Sequence, residues 1–143
     1  MHRLPASVLA ILISLSGHEQ GNAQEQPVKL WAAMSVSQPV FTASETGKLQ
    51  IYFAVVNDTP VTVNPSVESS HLFVNGVELE GWNIIIGNGI RTTLFEALPP
   101  GNVLLFTYAL GNLFQKAGIY TVRWEGKNYT TPDLVFRVMP KGV

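Results

Sequence analysis

The chain has 143 residues, no cysteine and a formal net charge of −1 at pH 7. A balance this close to neutral excludes a nucleic-acid footprint or a polybasic membrane patch; the lack of thiols excludes disulfides, thiolate zinc sites, cysteine catalysis and lipid attachment through an N-terminal Cys. Charged residues are 13% of the chain against roughly 25% in an average domain, so Thr, Asn, Ser, Gln and exposed apolar groups must cover much of the surface.

The chain opens with a short basic start, Met1-His2-Arg3, and an apolar run from Leu4 to Leu15 interrupted by Pro5, Ser7 and Ser14. A polar stretch then ends at Gly21-Asn22-Ala23, with small residues at the −3 and −1 positions of a cleavage site. That is the tripartite form of a secretory signal peptide, and the run is shorter than the roughly 20 residues of a membrane span. Residues 1–23 are therefore expected to be a signal peptide, and 24–143 a single secreted or periplasmic domain. No second apolar run approaches spanning length, so no membrane span is expected in the mature chain. A domain of that size can bury a core without staples.

Gln24 to Pro27 reads as a disordered lead. From Val28 to Val36 the pattern alternates, with Val28, Leu30, Ala32, Met34 and Val36 on one side, which predicts a half-buried strand. Pro39 and the turn Ser44-Glu45-Thr46-Gly47 end it. Lys48 to Val56 follows, with Leu49, Ile51, Phe53 and Val55 on one face and the largely apolar Gln50, Tyr52, Ala54 and Val56 on the other. A strand apolar on both faces predicts a central position with cover on each side. Val61 to Val63 reads as a short strand between turns.

Leu72-Phe73-Val74 and Val77-Glu78-Leu79 flank Asn75-Gly76, the pair favoured in a type I′ hairpin because both central residues need positive φ. Gly81 to Ile90 carries no charge. Thr92 to Leu98, Val103 to Leu110, Ala117 to Trp124 and Leu134 to Met139 read as further strands. Seven to eight short strands with turn chemistry between them, and no helical period of useful length, predict an all-β, immunoglobulin-like antiparallel sandwich.

Lys116-Ala117-Gly118-Ile119-Tyr120 resembles the start of the penultimate strand of immunoglobulin-like domains. There a glycine two residues before a tyrosine accompanies the tyrosine corner. The resemblance implies that the Tyr120 phenol bonds back to backbone near Leu113 to Gln115, with Gly118 as the accompanying glycine. The acid that often precedes that glycine is Lys116 here, and the antibody cysteine is Val122, so the likeness is to the fold and not to antibody domains. A closer likeness covers about 49–138, from Val55-Val56-Asn57 through the hairpin and Ala97-Leu98-Pro99-Pro100-Gly101 to Tyr108-Ala109-Leu110, Leu113-Phe114 and Ala117 to Val122. These pieces resemble the small β-sandwich domain of bacterial secreted proteins that also precedes deuterolysin-type metalloendopeptidases. That likeness implies an accessory or recognition module rather than a catalyst.

The residues assign no catalytic group, metal or cofactor. A zinc-peptidase motif needs two His four apart with a Glu between them, and His18-Glu19 is followed by Gln20-Gly21-Asn22 inside the expected signal peptide. Beyond it stands a single histidine, His71, too few for a His-based metal site. Ser70 beside it would point to the opposite strand face, so His71 reads as a hairpin-edge residue. Glu78 and Glu80 share a face, yet acids flanking a hairpin keep a sheet edge soluble. Gly87-Asn88-Gly89 lacks the Lys-Ser/Thr of a phosphate loop. Asn57-Asp58-Thr59 and Asn128-Tyr129-Thr130 fit the N-glycosylation pattern.

Trp124, in phase with Tyr120 and Val122, reads as core, whereas Trp31 is core or edge. Trp82 stands among Ile84, Ile85, Ile86 and Ile90, with no charge until Arg91. One reading of this segment is a second buried strand. The other is an apolar binding loop with Trp82 as anchor, Ile84 and Ile86 beside it and Arg91 as a polar rim. The expected function is an exported, non-catalytic module binding another protein or an extracellular surface ligand. The alternative is a protease inhibitor of immunoglobulin-like fold. Chagasin-type inhibitors share an Ala-Gly-x-x-x-Val feature, here Ala117 to Val122, but their Asn-Pro-Thr-Thr-Gly loop is reduced to Asn64-Pro65-Ser66.

Overall fold

A computed structural model describes residues 28–89 and 91–141; the expected signal peptide at 1–23, the lead at 24–27 and Ile90 lie outside the described residues. The alternating segments form β1 (Trp31–Val36), β2 (Val40–Thr42), β3 (Gln50–Val56), β4 (His71–Val74), β5 (Val77–Glu78), β6 (Val103–Ala109), β7 (Gly118–Glu125) and β8 (Leu134–Met139). A short helix, α1 (Trp82–Gly87), lies between β5 and β6. The strands make two sheets, ordered β1-β3-β6 and β2-β8-β7-β4-β5. Neighbours are antiparallel except β2 and β8, which run parallel. The result is an immunoglobulin-like β-sandwich.

Period-two alternation places the core between the sheets. Leu49, Ile51, Phe53 and Val55 point inward and are buried, as are Leu72, Val122, Trp124, Phe136 and Val138 from the facing sheet. Phe53 joins the two layers: its ring stacks on Phe106 at 5.0 Å between centroids and meets Trp124 edge-on at 5.1 Å. Such pairs add about 0.5–1.5 kcal/mol beyond the area they bury.

Four local expectations are corrected. Thr92 to Leu98 is not a strand but a 3-10 turn at Thr93–Phe95, followed by a single bridge from Leu98 to Val63. The expected strand at Val61 to Val63 is reduced to its half of that bridge. The turn at 44–47 widens into a 3-10 segment, Ala43–Lys48, behind the edge strand β2. There the Glu45 carboxylate accepts from the Thr42 N–H (3.2 Å) and hydroxyl (3.0 Å), which holds its pKa below the usual range. Finally, β3 is central in its sheet, but only its inner face is covered. Tyr52 on the outer face is exposed and Ala54 and Val56 are half-buried.

Residues 81–90 form neither the strand nor the loop expected of them. Gly81 takes φ 80°, and α1 begins at the next residue. Trp82, Ile85 and Ile86 turn inward at the i, i+3, i+4 spacing of a helix face, while Asn83 and Ile84 face out. Isoleucine favours strands, and a six-residue helix is marginal alone, so tertiary packing decides the conformation. Two hydrogen bonds pin the helix: Trp82 Nε1–H donates to Ser70 Oγ (3.0 Å), and Tyr108 Oη donates to the Ile86 carbonyl (3.1 Å). Burial pushes the Tyr108 phenol pKa up, which keeps it a donor.

Candidate functional site

The residues singled out from the sequence do not come together. Trp82 is 2% exposed and packs on Phe53 and Tyr108, so an exposed anchor at this position is corrected to a core residue. Ile86 is buried with it, whereas Ile84 is 63% exposed on the opposite side of the helix. Arg91 stacks its guanidinium over Phe95 at 4.8 Å and pairs with Glu68, so its charge is held within the chain. Asn75 and Gly76 have φ of 52° and 82° and close the β4–β5 hairpin between the paired Val74 and Val77. Gly118 opens β7. Tyr120 Oη donates to the Lys116 carbonyl at 2.6 Å, nearer in sequence than Leu113 to Gln115, with its ring against Phe114 and Phe136.

A cleft of ≈ 490 Å³ opens between residues 68–71 and 77–83, lined by Glu68, Glu78 and Glu80. Glu68 pairs with Arg91, and Glu78 Oε2 lies 2.5 Å from His71 Nδ1. Ser70 turns away from His71: its hydroxyl is buried, donates to the Val67 carbonyl (2.6 Å) and accepts from Trp82. No nucleophile therefore faces the His71–Glu78 pair from Ser70. Among the described residues no group of three or more His, Cys, Asp or Glu could hold a metal ion.

The outer faces of the two sheets differ sharply in chemistry. On the five-stranded sheet, Arg123 stacks on Phe73 at 4.7 Å and bonds Glu125 at 2.7 Å, near the His71–Glu78 pair and Arg137. Charges interspersed with apolar groups are how a solvated sheet face is usually kept soluble. The strands of the three-stranded sheet, β1, β3 and β6, carry no charged residue.

Its register sets out the outer face in rows. Trp31, Val56 and Val103 form one, Ala33, Ala54 and Leu105 the next, then Ser35, Tyr52 and Thr107, with Gln50 beside Ala109 at the end. The large members stand in solvent: Leu105 is 70% exposed, Trp31 58%, Tyr52 43% and Val103 41%. Between them the two alanines leave a shallow dip of ≈ 180 Å³, bordered by Tyr52 and Leu105. Isolated exposed apolar residues need no explanation, whereas a contiguous uncharged patch with two aromatic anchors has the make-up of an interface core. Scattered over three strands, these residues share no motif, and the signal in the sequence is the missing charge on the second face of each strand.

No protein-family model matches the chain, and no curated protein matches it. Among solved structures, it is similar to the CARDB domain of a Pyrococcus furiosus protein, crystallised in complex with di-metal ions. The two are 14% identical, the match covers 79% of this chain and 94% of that one, and the TM-score is 0.48. A solution structure of the same domain gives 15% identity, 78% and 94% coverage and a TM-score of 0.47. The likeness to the domain ahead of deuterolysin-type peptidases finds no counterpart among these matches.

Proposed function

We propose that the chain is an exported, non-catalytic module that recognises another protein or a surface ligand through the outer face of the β1-β3-β6 sheet. One observation carries this reading: the same fold that spreads ionisable groups over its five-stranded face leaves the three-stranded face uncharged, with Trp31, Tyr52 and Leu105 in solvent. Leaving large apolar groups wet costs roughly 25 cal/mol per Å², so covering them is favourable for any partner with an apolar surface. Export is supported by the basic, apolar and small-residue pattern of residues 1–23. Among the described residues no helix is long and apolar enough to cross a membrane.

A photo-crosslinking amino acid at position 105, with position 135 on the opposite sheet as control, tests the reading in the producing cell. The expected result is an adduct formed from position 105 and not from 135. Adducts from neither position, or equally from both, would overturn it.

A further inference from the structure

We infer that the occupant of this face is a second copy of the chain, packed sheet to sheet about a two-fold axis that runs along β3. This rests on the binding-face reading above and names its partner. A two-fold contact sets each patch against itself, so any net charge would meet its own copy; the rows of β1, β3 and β6 carry none. Shape points the same way. An axis along β3 lays β1 of one copy over β6 of the other and keeps each row level. In the row Ala33–Ala54–Leu105, that operation drops the exposed Leu105 into the dip over the partner's Ala33, twice, once in each direction. Trp31 then covers the partner's Val103, and Tyr52 meets the partner's Tyr52. The knob and the hole lie on opposite edge strands at one level, which is the arrangement this symmetry requires.

Size sets the strength. Three strands about 4.8 Å apart and seven residues of about 3.4 Å rise give a face near 14 by 24 Å, about 340 Å² in plan. A standard interface covers about 800 Å² on each partner. The pair is therefore weak and forms at high local concentration.

Sedimentation of the purified protein over a concentration series tests the pairing, with circular dichroism melts confirming that each variant folds. The weight-average mass should climb from that of one chain toward that of two. Leu105→Ala removes the knob and Ala33→Leu fills the dip, and each should weaken association by about tenfold, the effect of losing one good apolar contact. The double variant Ala33→Leu with Leu105→Ala moves the knob from β6 to β1, and the two-fold axis exchanges those strands, so it should recover most of the loss. A wild-type mass that stays at one chain throughout, or a double variant no better than the singles, overturns the pairing. The crosslink at position 105 separates the two levels. An adduct of two copies supports both, an adduct with a different protein overturns self-pairing and leaves the binding face standing, and no adduct overturns both.

Discussion

Replacing Asn57 with Asp should unfold this domain far more readily than its near-identical shape suggests. Asn57 is fully buried just after β3. Its Nδ2 donates to the carbonyls of Val61 and Leu98, both at 2.8 Å, and its Oδ1 accepts from the Thr59 N–H (3.0 Å) and hydroxyl (2.6 Å). Its backbone N–H donates to the Asn102 carbonyl and its carbonyl accepts from the Gly101 N–H, so one residue ties β3 to two loops. A carboxylate keeps the bonds to Thr59 but turns an acceptor toward two carbonyl oxygens. Each abandoned buried carbonyl costs roughly 1–3 kcal/mol, so the loss at pH 7 should reach about 3–5 kcal/mol. Burial and the facing carbonyls disfavour the ionised form, which raises the folded-state pKa of the introduced carboxyl above its unfolded value of about 3.9. The folded state then holds the proton more tightly, so the variant's deficit shrinks as pH falls through the folded pKa and is smallest below the unfolded one. Urea melts of wild type and Asn57→Asp between about pH 4 and about pH 8 measure this, with Asn57→Ala as the control whose deficit is independent of pH. An Asn57→Asp variant within about 0.5 kcal/mol of wild type at pH 7, or with a flat deficit, would refute the reasoning. Burial of Asn57 also takes it out of reach as a glycosylation acceptor.

Three further substitutions probe the same framework. Trp82→Ala empties a core site and removes the donor to Ser70; the cost should be about 3–5 kcal/mol, read as a melting temperature lower by about 10–20 °C. A loss under about 1 kcal/mol would return Trp82 to the surface. Gly76→Val places a branched side chain at φ 82° with open space around it, so backbone strain of about 1–2 kcal/mol should appear in denaturant melts without a change in fold. Tyr120→Phe gives up one bond to the Lys116 carbonyl and should cost about 0.5–1.5 kcal/mol; no measurable change would mean that water replaces that bond in full.

Much of the fold is legible because strands announce themselves by period two. The inward set of β3, Leu49 to Val55, and the Asn75-Gly76 hairpin are local signals that need no knowledge of the rest of the chain. Misreadings arise where local preference and tertiary packing disagree. Ile84-Ile85-Ile86 argues for a strand, yet Trp82, Ile85 and Ile86 bury together only as a helix, and six residues are too few to display that period. Thr92 to Leu98 has apolar residues at Leu94, Phe95 and Leu98, but their spacing serves a 3-10 turn under β6.

The candidate surface is visible in the sequence only in pieces. The second face of β3 reads as covered because Tyr52, Ala54 and Val56 look like a buried set. Trp31 stays undecided for the same reason, since a single strand does not reveal which face meets the core. Pairing Trp31 with Val56 and Ala54 with Leu105 requires the register, and the register is a tertiary fact. The buried donors of Asn57 are hidden likewise, because their acceptors at Val61 and Leu98 come together only in the folded chain.

Side-chain oxidation of Trp31 by brief hydroxyl-radical exposure tests the central claim most directly. It should be compared between the protein in its producing cells and the purified protein at high dilution. Trp82 and Trp124 are buried in the fold itself and serve as internal standards. If the outer face of β1-β3-β6 is a binding surface, Trp31 is oxidised severalfold more slowly in place than when dilute, relative to those two. Equal relative rates in both settings would contradict the account.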